Sequence, residues 1–149
     1  MTDPPAPAYA GFVTRATAFV VDDLIVVVVG TLGVIGAGLI LDAVIPGGVS
    51  VDLASILGAA AWGAVLSTAY FVGFWSLASQ TPGMRLMRIV VVPESGDRLT
   101  VWRAVRRMVG VVACWLTFGL GFALVLVDDR RQGLHDKIAR TFVLYDRED

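Results

Sequence analysis

The sequence predicts an all-α membrane protein: two transmembrane helices, a third apolar segment, and a small cytoplasmic β element. Three observations lead there. Hydrophobic residues make up 56% of the 149-residue chain and charged residues 17%, with a mean hydropathy of +0.75, too apolar for a soluble domain of this size. Residues 12–41 form one long apolar stretch whose only charges are Arg15, Asp22 and Asp23, and residues 55–78 carry none. Residues 79–107 then hold six arginines against Glu94 and Asp97, which marks a segment outside the hydrocarbon.

The first stretch carries charge where a membrane helix resists it. At 1.5 Å per residue a helix over residues 12–41 is about 45 Å long, the thickness of a bilayer with its headgroup zones. If it is centred, Arg15 lies among headgroups and Asp22 about 7 Å inside the hydrocarbon. Seven residues are about two turns, so Arg15 and Asp22 share a face, while Asp23 points about 100° away. A mid-membrane aspartate costs about 2.5–3.5 kcal/mol on insertion scales, so Asp22 there faces protein or water and marks a site or an internal partner. The alternative slides the helix until residues 24–41 span, leaving both aspartates at the interface with Arg15 snorkelling. Residues 1–10, with three prolines and no basic n-region, read as a flexible, uncleaved lead-in.

Pro46, Gly47 and Gly48 break the first helix, and residues 55–78 are long enough to span. Small residues recur four apart at Ala59, Gly63 and Ser67, a spacing that admits a close helix, with Gly33 and Ala37 as a candidate counterpart, although small residues are also simply common in membrane helices. Within residues 79–107, the β-branched run 88–92 predicts a strand and residues 93–97 a tight turn. Thr100 caps a helix whose Arg103, Arg106 and Arg107 form a basic face for anionic headgroups, as interfacial anchors or as specific lipid binders.

Residues 108–127 are apolar for about the minimum spanning length, interrupted by Thr117, Gly119 and Gly121. The arginine excess puts residues 79–107 and the N-terminus in the cytoplasm. A straight third span would export a tail carrying Arg130, Arg131, Lys137, Arg140 and Arg147. A re-entrant or interfacial hairpin keeps both termini cytoplasmic, and is expected over the third span. It also brings the strand-like run 141–145, at the end of the tail 128–145, to residues 88–92. Residues 146–149 form a polar end.

Several classes are excluded. A net charge of −1 gives no basic field for nucleic acid, and a lone Cys114 in an apolar run builds no disulfide framework. Metal-ligand spacing, a Walker loop and a nucleophile–base signature are all missing, so no catalytic residue, cofactor or metal is expected and the chain does not read as an enzyme.

Three separated motifs coincide: Arg15 with an aspartate seven residues on, SQTPGMRLMRIVVV after the second helix, and DDRRQGLHDKIARTFVL near the C-terminus. Together they resemble the RDD family of bacterial membrane proteins, named for one arginine and two aspartates, and the resemblance covers residues 11–144. It implies that the arginine is Arg15, the first aspartate Asp22, with Asp23 as its neighbour, and the second Asp136. The family's turn falls on Gln80, Thr81, Pro82 and Gly83; Met84 stands where a lysine is common, leaving Arg85 as the nearby cation. The resemblance further implies a multi-pass protein of the bacterial inner membrane with a role in transport. One form is an oligomeric carrier, cation/proton-linked in some members, using an Arg15/Asp22/Asp136 cluster. The other is an accessory or structural subunit of a larger lipid or solute transport complex. The expected partners are the bilayer and either further copies of the chain or different membrane subunits.

The residues themselves allow both. A carrier needs a polar path and a group that changes protonation, for which Asp22 and a His135 titrating near neutrality beside Asp136 are candidates. The same Arg15, Asp22 and Asp136 can instead form an internal network that docks the tail, since paired charges fix geometry more than they add stability. His135 alone reads as a structural histidine, and Thr81-Pro82-Gly83 as a type II or helix-starting turn rather than a phosphate cradle.

Overall fold

The structure, a computed structural model, describes residues 8–45 and 52–146. Helix α1 (Phe12–Val44) extends about a turn beyond the expected span. The predicted breakers Pro46, Gly47 and Gly48, most of the lead-in and the last three residues of the polar end lie outside the described residues. Helix α2 (Leu53–Ala78) starts earlier than expected because Asp52 and Ser55 cap it reciprocally: Asp52 accepts the Ser55 backbone N–H at 2.9 Å, and Ser55 Oγ accepts that of Asp52 at 3.0 Å.

The two helices pack antiparallel. Phe19 stacks on Phe71 with ring centres 5.5 Å apart. Further along, Gly30 faces Leu66, and a Cβ on Gly33 would stand 3.2 Å from the Trp62 indole. Gly33 therefore makes room for a large ring. The small residues of α2 are not what meets Gly33, and a Cβ on Gly63 would touch nothing within 4 Å. Both helices are long and apolar enough to cross a membrane, and only 11% and 6% of their most apolar windows are covered by the protein itself.

After α2 the chain forms α3 (Pro82–Leu86), started by Thr81 as N-cap with Pro82 in the first turn, where its missing N–H costs nothing. Strand β1 (Ile89–Pro93) lies one residue later than the predicted run 88–92, and β2 (Thr141–Tyr145) coincides with the predicted run 141–145. They pair antiparallel with Val91 opposite Val143. The far edge of β2 is covered by the chain's start: Ala10 N–H donates to Val143 O at 2.9 Å and Tyr145 N–H to Ala8 O at 3.0 Å.

Helix α4 (Val101–Leu116), capped by Thr100, joins what the sequence divides: the basic segment and the apolar segment are one helix. At Gly119, with φ +84°, the chain turns, and α5 (Leu120–Ala123) with a 3₁₀ turn (Leu124–Leu126) returns at 113° to α4. Close packing fixes the turn, since a Cβ on Gly121 would lie 2.6 Å from Cys114 Sγ. The third apolar segment is thus bent back as expected, with Phe118 at its tip 98% exposed. Helix α6 (Leu134–Ala139) then settles on α4 at Gly110, where a Cβ would come within 2.5 Å of His135 Cα.

The core lies at one end of the α1–α2 pair. Ala18, Phe71, Trp75, Ile89, Val91, Ala104, Val111 and Val143 meet there, so the N-terminal part of α1 and the C-terminal part of α2 are the parts that α3 to β2 cover. With the third apolar segment bent back, the turn after β1 and the loop before α6 are expected on one side of the membrane. In a Cys114→Ala background, Glu94→Cys and Asp129→Cys should both react, or both resist, when a membrane-impermeant maleimide is applied from one side. Opposite behaviour would require a straight third span.

Candidate functional site

Asp136 is the centre of the first polar group. It stands in the first turn of α6, where its carboxylate reaches back to the Gly133 N–H at 3.0 Å, a favourable place for an anion at a helix start. One oxygen accepts Arg15 Nη1 at 2.6 Å and the other accepts Arg107 Nη1. The carboxylate is fully buried and Arg107 nearly so. Each arginine is fixed at further points. Arg15 also donates to Ala10 O at 3.0 Å, and Arg107 donates to Thr141 Oγ1 at 2.8 Å and lies 4.9 Å over the Trp75 ring. One carboxylate thereby ties together α1, α4, α6 and β2.

Electrostatics follow from that placement. Burial by itself would raise the Asp136 carboxyl, but Arg107, with His135 and Arg15, outweighs it and brings the value down to about 2. For His135, burial dominates: despite Asp136 Oδ1 at 3.5 Å, desolvation and the two guanidiniums push it down to about 4. His135 is neutral at neutral pH, so the expectation of a group titrating there is not met. Its Nδ1 lies 3.6 Å from Cys114 Sγ and its ring packs 5.4 Å from Phe122, the surroundings of a structural histidine.

Asp22 centres the second group. It is 1% exposed, whereas Asp23 is exposed, so the first of the adjacent aspartates is the one turned inward. Tyr70 Oη donates to it at 2.8 Å and Gly83 N–H at 2.7 Å, and Thr81 Oγ1 donates to its other oxygen. Thr81 Oγ1 in turn accepts Met84 N–H at 3.2 Å, which makes the threonine both the cap of α3 and a donor to α1. The approach requires glycine: a Cβ on Gly83 would lie 2.9 Å from Asp22 Oδ1. Thr81-Pro82-Gly83 is accordingly a helix start held by a carboxylate. Gln80, beside it, lines a polar cleft with Arg85, Arg88 and Asp146, and its Oε1 is buried without a partner.

Arg15 and Asp22 share one face of α1, as their spacing requires, and address different segments, the tail and the turn after α2. Between the two groups lies a cavity of about 230 Å³ whose walls include Arg15, Asp22, Arg107 and His135 among mostly apolar side chains. Among the described residues, no three His, Cys, Asp or Glu side chains converge as metal ligands.

The RDD family model matches residues 9–140, a range that includes Arg15, Asp22 and Asp136. The chain belongs to the RDD family. Two curated relatives are similar to parts of it. The uncharacterized protein YxaI of Bacillus subtilis (strain 168) is 31% identical over 65 residues, 44% of this chain and 42% of that protein. The uncharacterized protein RP437 of Rickettsia prowazekii (strain Madrid E) is 29% identical over 76 residues, 50% of this chain and 42% of that protein. In both cases the match spans less than half of the relative's length. No solved structure matches.

For an RDD protein, the basic face of α4 needs correction. Arg107 does not face headgroups: it is 2% exposed, because Ala104, Arg107, Val111 and Cys114 lie on one stripe of α4 turned to the core. Arg106 donates to Ile138 O at 2.6 Å and Arg103 to Arg140 O at 3.3 Å, so both also serve the end of α6. Thr141, Tyr70 and Trp75 were missing from the residues singled out in the sequence, and Arg107 was singled out there only for the headgroup face. The stripe spacing flags Arg107, and a lone tyrosine hydroxyl next to the aromatic end of a charge-free span flags Tyr70.

Asp136→Asn should destabilise the fold by about 3–5 kcal/mol, the usual cost of stranding buried partner charges. The pH dependence has two parts. An unfolded histidine takes its proton near 6.5 and folded His135 only near 4, so acidification through that window favours the unfolded chain. Asp136 adds a second loss between 3.8 and about 2, as its carboxylate protonates. Thermal unfolding in detergent from neutral to acid pH should show both, with His135→Asn abolishing the upper one.

Proposed function

We propose that this RDD protein serves transport in the bacterial inner membrane as a non-catalytic, accessory subunit of a larger assembly, its N-terminus in the cytoplasm. The observation that carries this reading is the engagement of both buried aspartates. Asp136 is shared by two guanidiniums and a backbone N–H, and Asp22 is held by two hydroxyls and a backbone N–H. Carboxylates held in this way fasten segments, whereas a carrier's carboxylate has to exchange partners during its cycle. Two spans and a bent hairpin also enclose no path by themselves, and α1 and α2 leave nearly all of their apolar surface for lipid or for other helices. The arginine-rich segment supports the cytoplasmic assignment of the core end.

A second reading, an oligomeric carrier, is supported by one observation. Asp22 lines the cavity with Tyr70 and Thr81 hydroxyls on its oxygens, a ligand set that can hand over a proton or a cation once several copies enclose a path. The two readings part on Asp22→Asn and on mass. For the accessory subunit, purification in mild detergent at native expression should yield a complex of fixed stoichiometry with a different membrane protein, and Asp22→Asn should lower its abundance several-fold without changing flux per complex. A homo-oligomer of normal abundance whose reconstituted flux collapses on Asp22→Asn would overturn this in favour of the carrier.

A further inference from the structure

The cleft lined by Gln80, Arg85, Arg88 and Asp146 measures about 260 Å³, and its walls are polar where those of the cavity beside α1 are mostly apolar. The backbone fixes its shape. Arg85 lies in the last turn of α3 and its carbonyl accepts Arg88 N–H at 3.1 Å, while Arg88 O accepts the N–H of Asp146, just past β2, at 2.8 Å. Arg88 has φ +50°, a left-handed conformation that glycine adopts more readily, so its long cationic side chain is held there at a conformational cost.

The charges of these two arginines go unanswered. Arg15 and Arg107 share Asp136, and Arg103 and Arg106 bond carbonyls at the end of α6, but among the described residues the Arg85 and Arg88 side chains have no hydrogen-bond or ion-pair partner. Both residues are exposed, so a ligand can reach them. Two cations against the one carboxylate of Asp146 leave the cleft positive on balance, which selects an anion, and the guanidinium fork matches the oxygens of a phosphate.

Depth decides the source of that phosphate. Residues 24–41 of α1 carry no charge and are about 27 Å long, close to the ~30 Å of a hydrocarbon core, which puts its boundary on the core side of the protein near Asp23. Gly83 N–H bonds Asp22 at 2.7 Å, so α3 starts at that boundary. Leu77 is 89% exposed and Leu86, between the two arginines in the chain, is 65% exposed, apolar surface that acyl chains cover. Arg85 and Arg88 thus stand at the level of lipid phosphates.

We propose that this cleft seats the phosphate of one phospholipid, with Arg85 and Arg88 on its oxygens and Asp146 accepting an N–H or O–H from the headgroup. Ethanolamine and glycerol headgroups offer such a donor, and choline does not. The site stands whichever of the two readings of function holds.

Native mass spectrometry of the full chain in mild detergent tests this, with phosphatidylethanolamine, phosphatidylglycerol or phosphatidylcholine added in turn. The unmodified protein should retain one molecule of either of the first two and several-fold less of the third. Arg85→Gln combined with Arg88→Gln should release that lipid, whereas Arg98→Gln, at an exposed arginine outside the cleft, should keep it. Should the double variant fail to accumulate, Arg88→Gly removes one guanidinium where the backbone suits glycine, and should lower retention several-fold. Retention that the cleft variants leave unchanged, that Arg98→Gln lowers as much, or that is equal for all three lipids would overturn the proposal. A thermal midpoint raised by inorganic phosphate over chloride at equal ionic strength, but not by lipid, would assign the cleft to the free anion and overturn it as well.

Discussion

A single carboxylate shared between two guanidiniums constrains the whole arrangement. Asp136 is fully buried, and an unpaired charge there would be intolerable, so the tail can dock only where Arg15 and Arg107 arrive together. That condition makes α1, α4 and α6 meet at one point and brings β2 beside β1. Buried ion pairs add little net stability compared with a well-packed apolar core, but they reject alternatives strongly. Here the rejected alternative is the straight third span, which would carry Asp136 away from both arginines.

Asp22 imposes the same condition about 10 Å further along α1, where the rise of seven helical residues sets the spacing. It gathers the hydroxyls of Tyr70 and Thr81 with the N–H of Gly83, and so fixes how the chain leaves α2. The N-terminal part of α1 is therefore a spine with two fasteners, one for the turn after α2 and one for the tail. Beyond it, α1 and α2 meet mainly each other, with glycines against Leu66 and Trp62. Their remaining surface belongs to the membrane.

The polar groups and the cavity are parts of one construction. Fastening the tail below α1 while the hairpin leaves at an angle creates a wedge, and the side chains available to line it are aromatic and aliphatic. A protein whose buried charges are committed to its own architecture, with apolar surfaces turned outward, is organised for company in the bilayer. That organisation is what supports the accessory role proposed above.

The spans were legible because α1 and α2 are determined by composition: a long apolar run has to make its hydrogen bonds internally, and in lipid a helix does so. The strand runs, the Thr100 cap, the hairpin and the inward turn of Asp22 were legible for similarly local reasons, being matters of β-branching, capping, glycine and spacing. What the sequence could not decide was partnership. Arg15 and Asp22 lie on one face, yet each bonds a segment more than 50 residues away, Asp136 and Thr81 respectively. Arg107 looked like its neighbours Arg103 and Arg106 until the stripe it sits on turned inward, and His135 lost its neutral-pH titration only through burial. Local patterns fix which residues are helical or apolar, but charge pairing and desolvation depend on what the returning chain brings alongside, and only the tertiary structure supplies that.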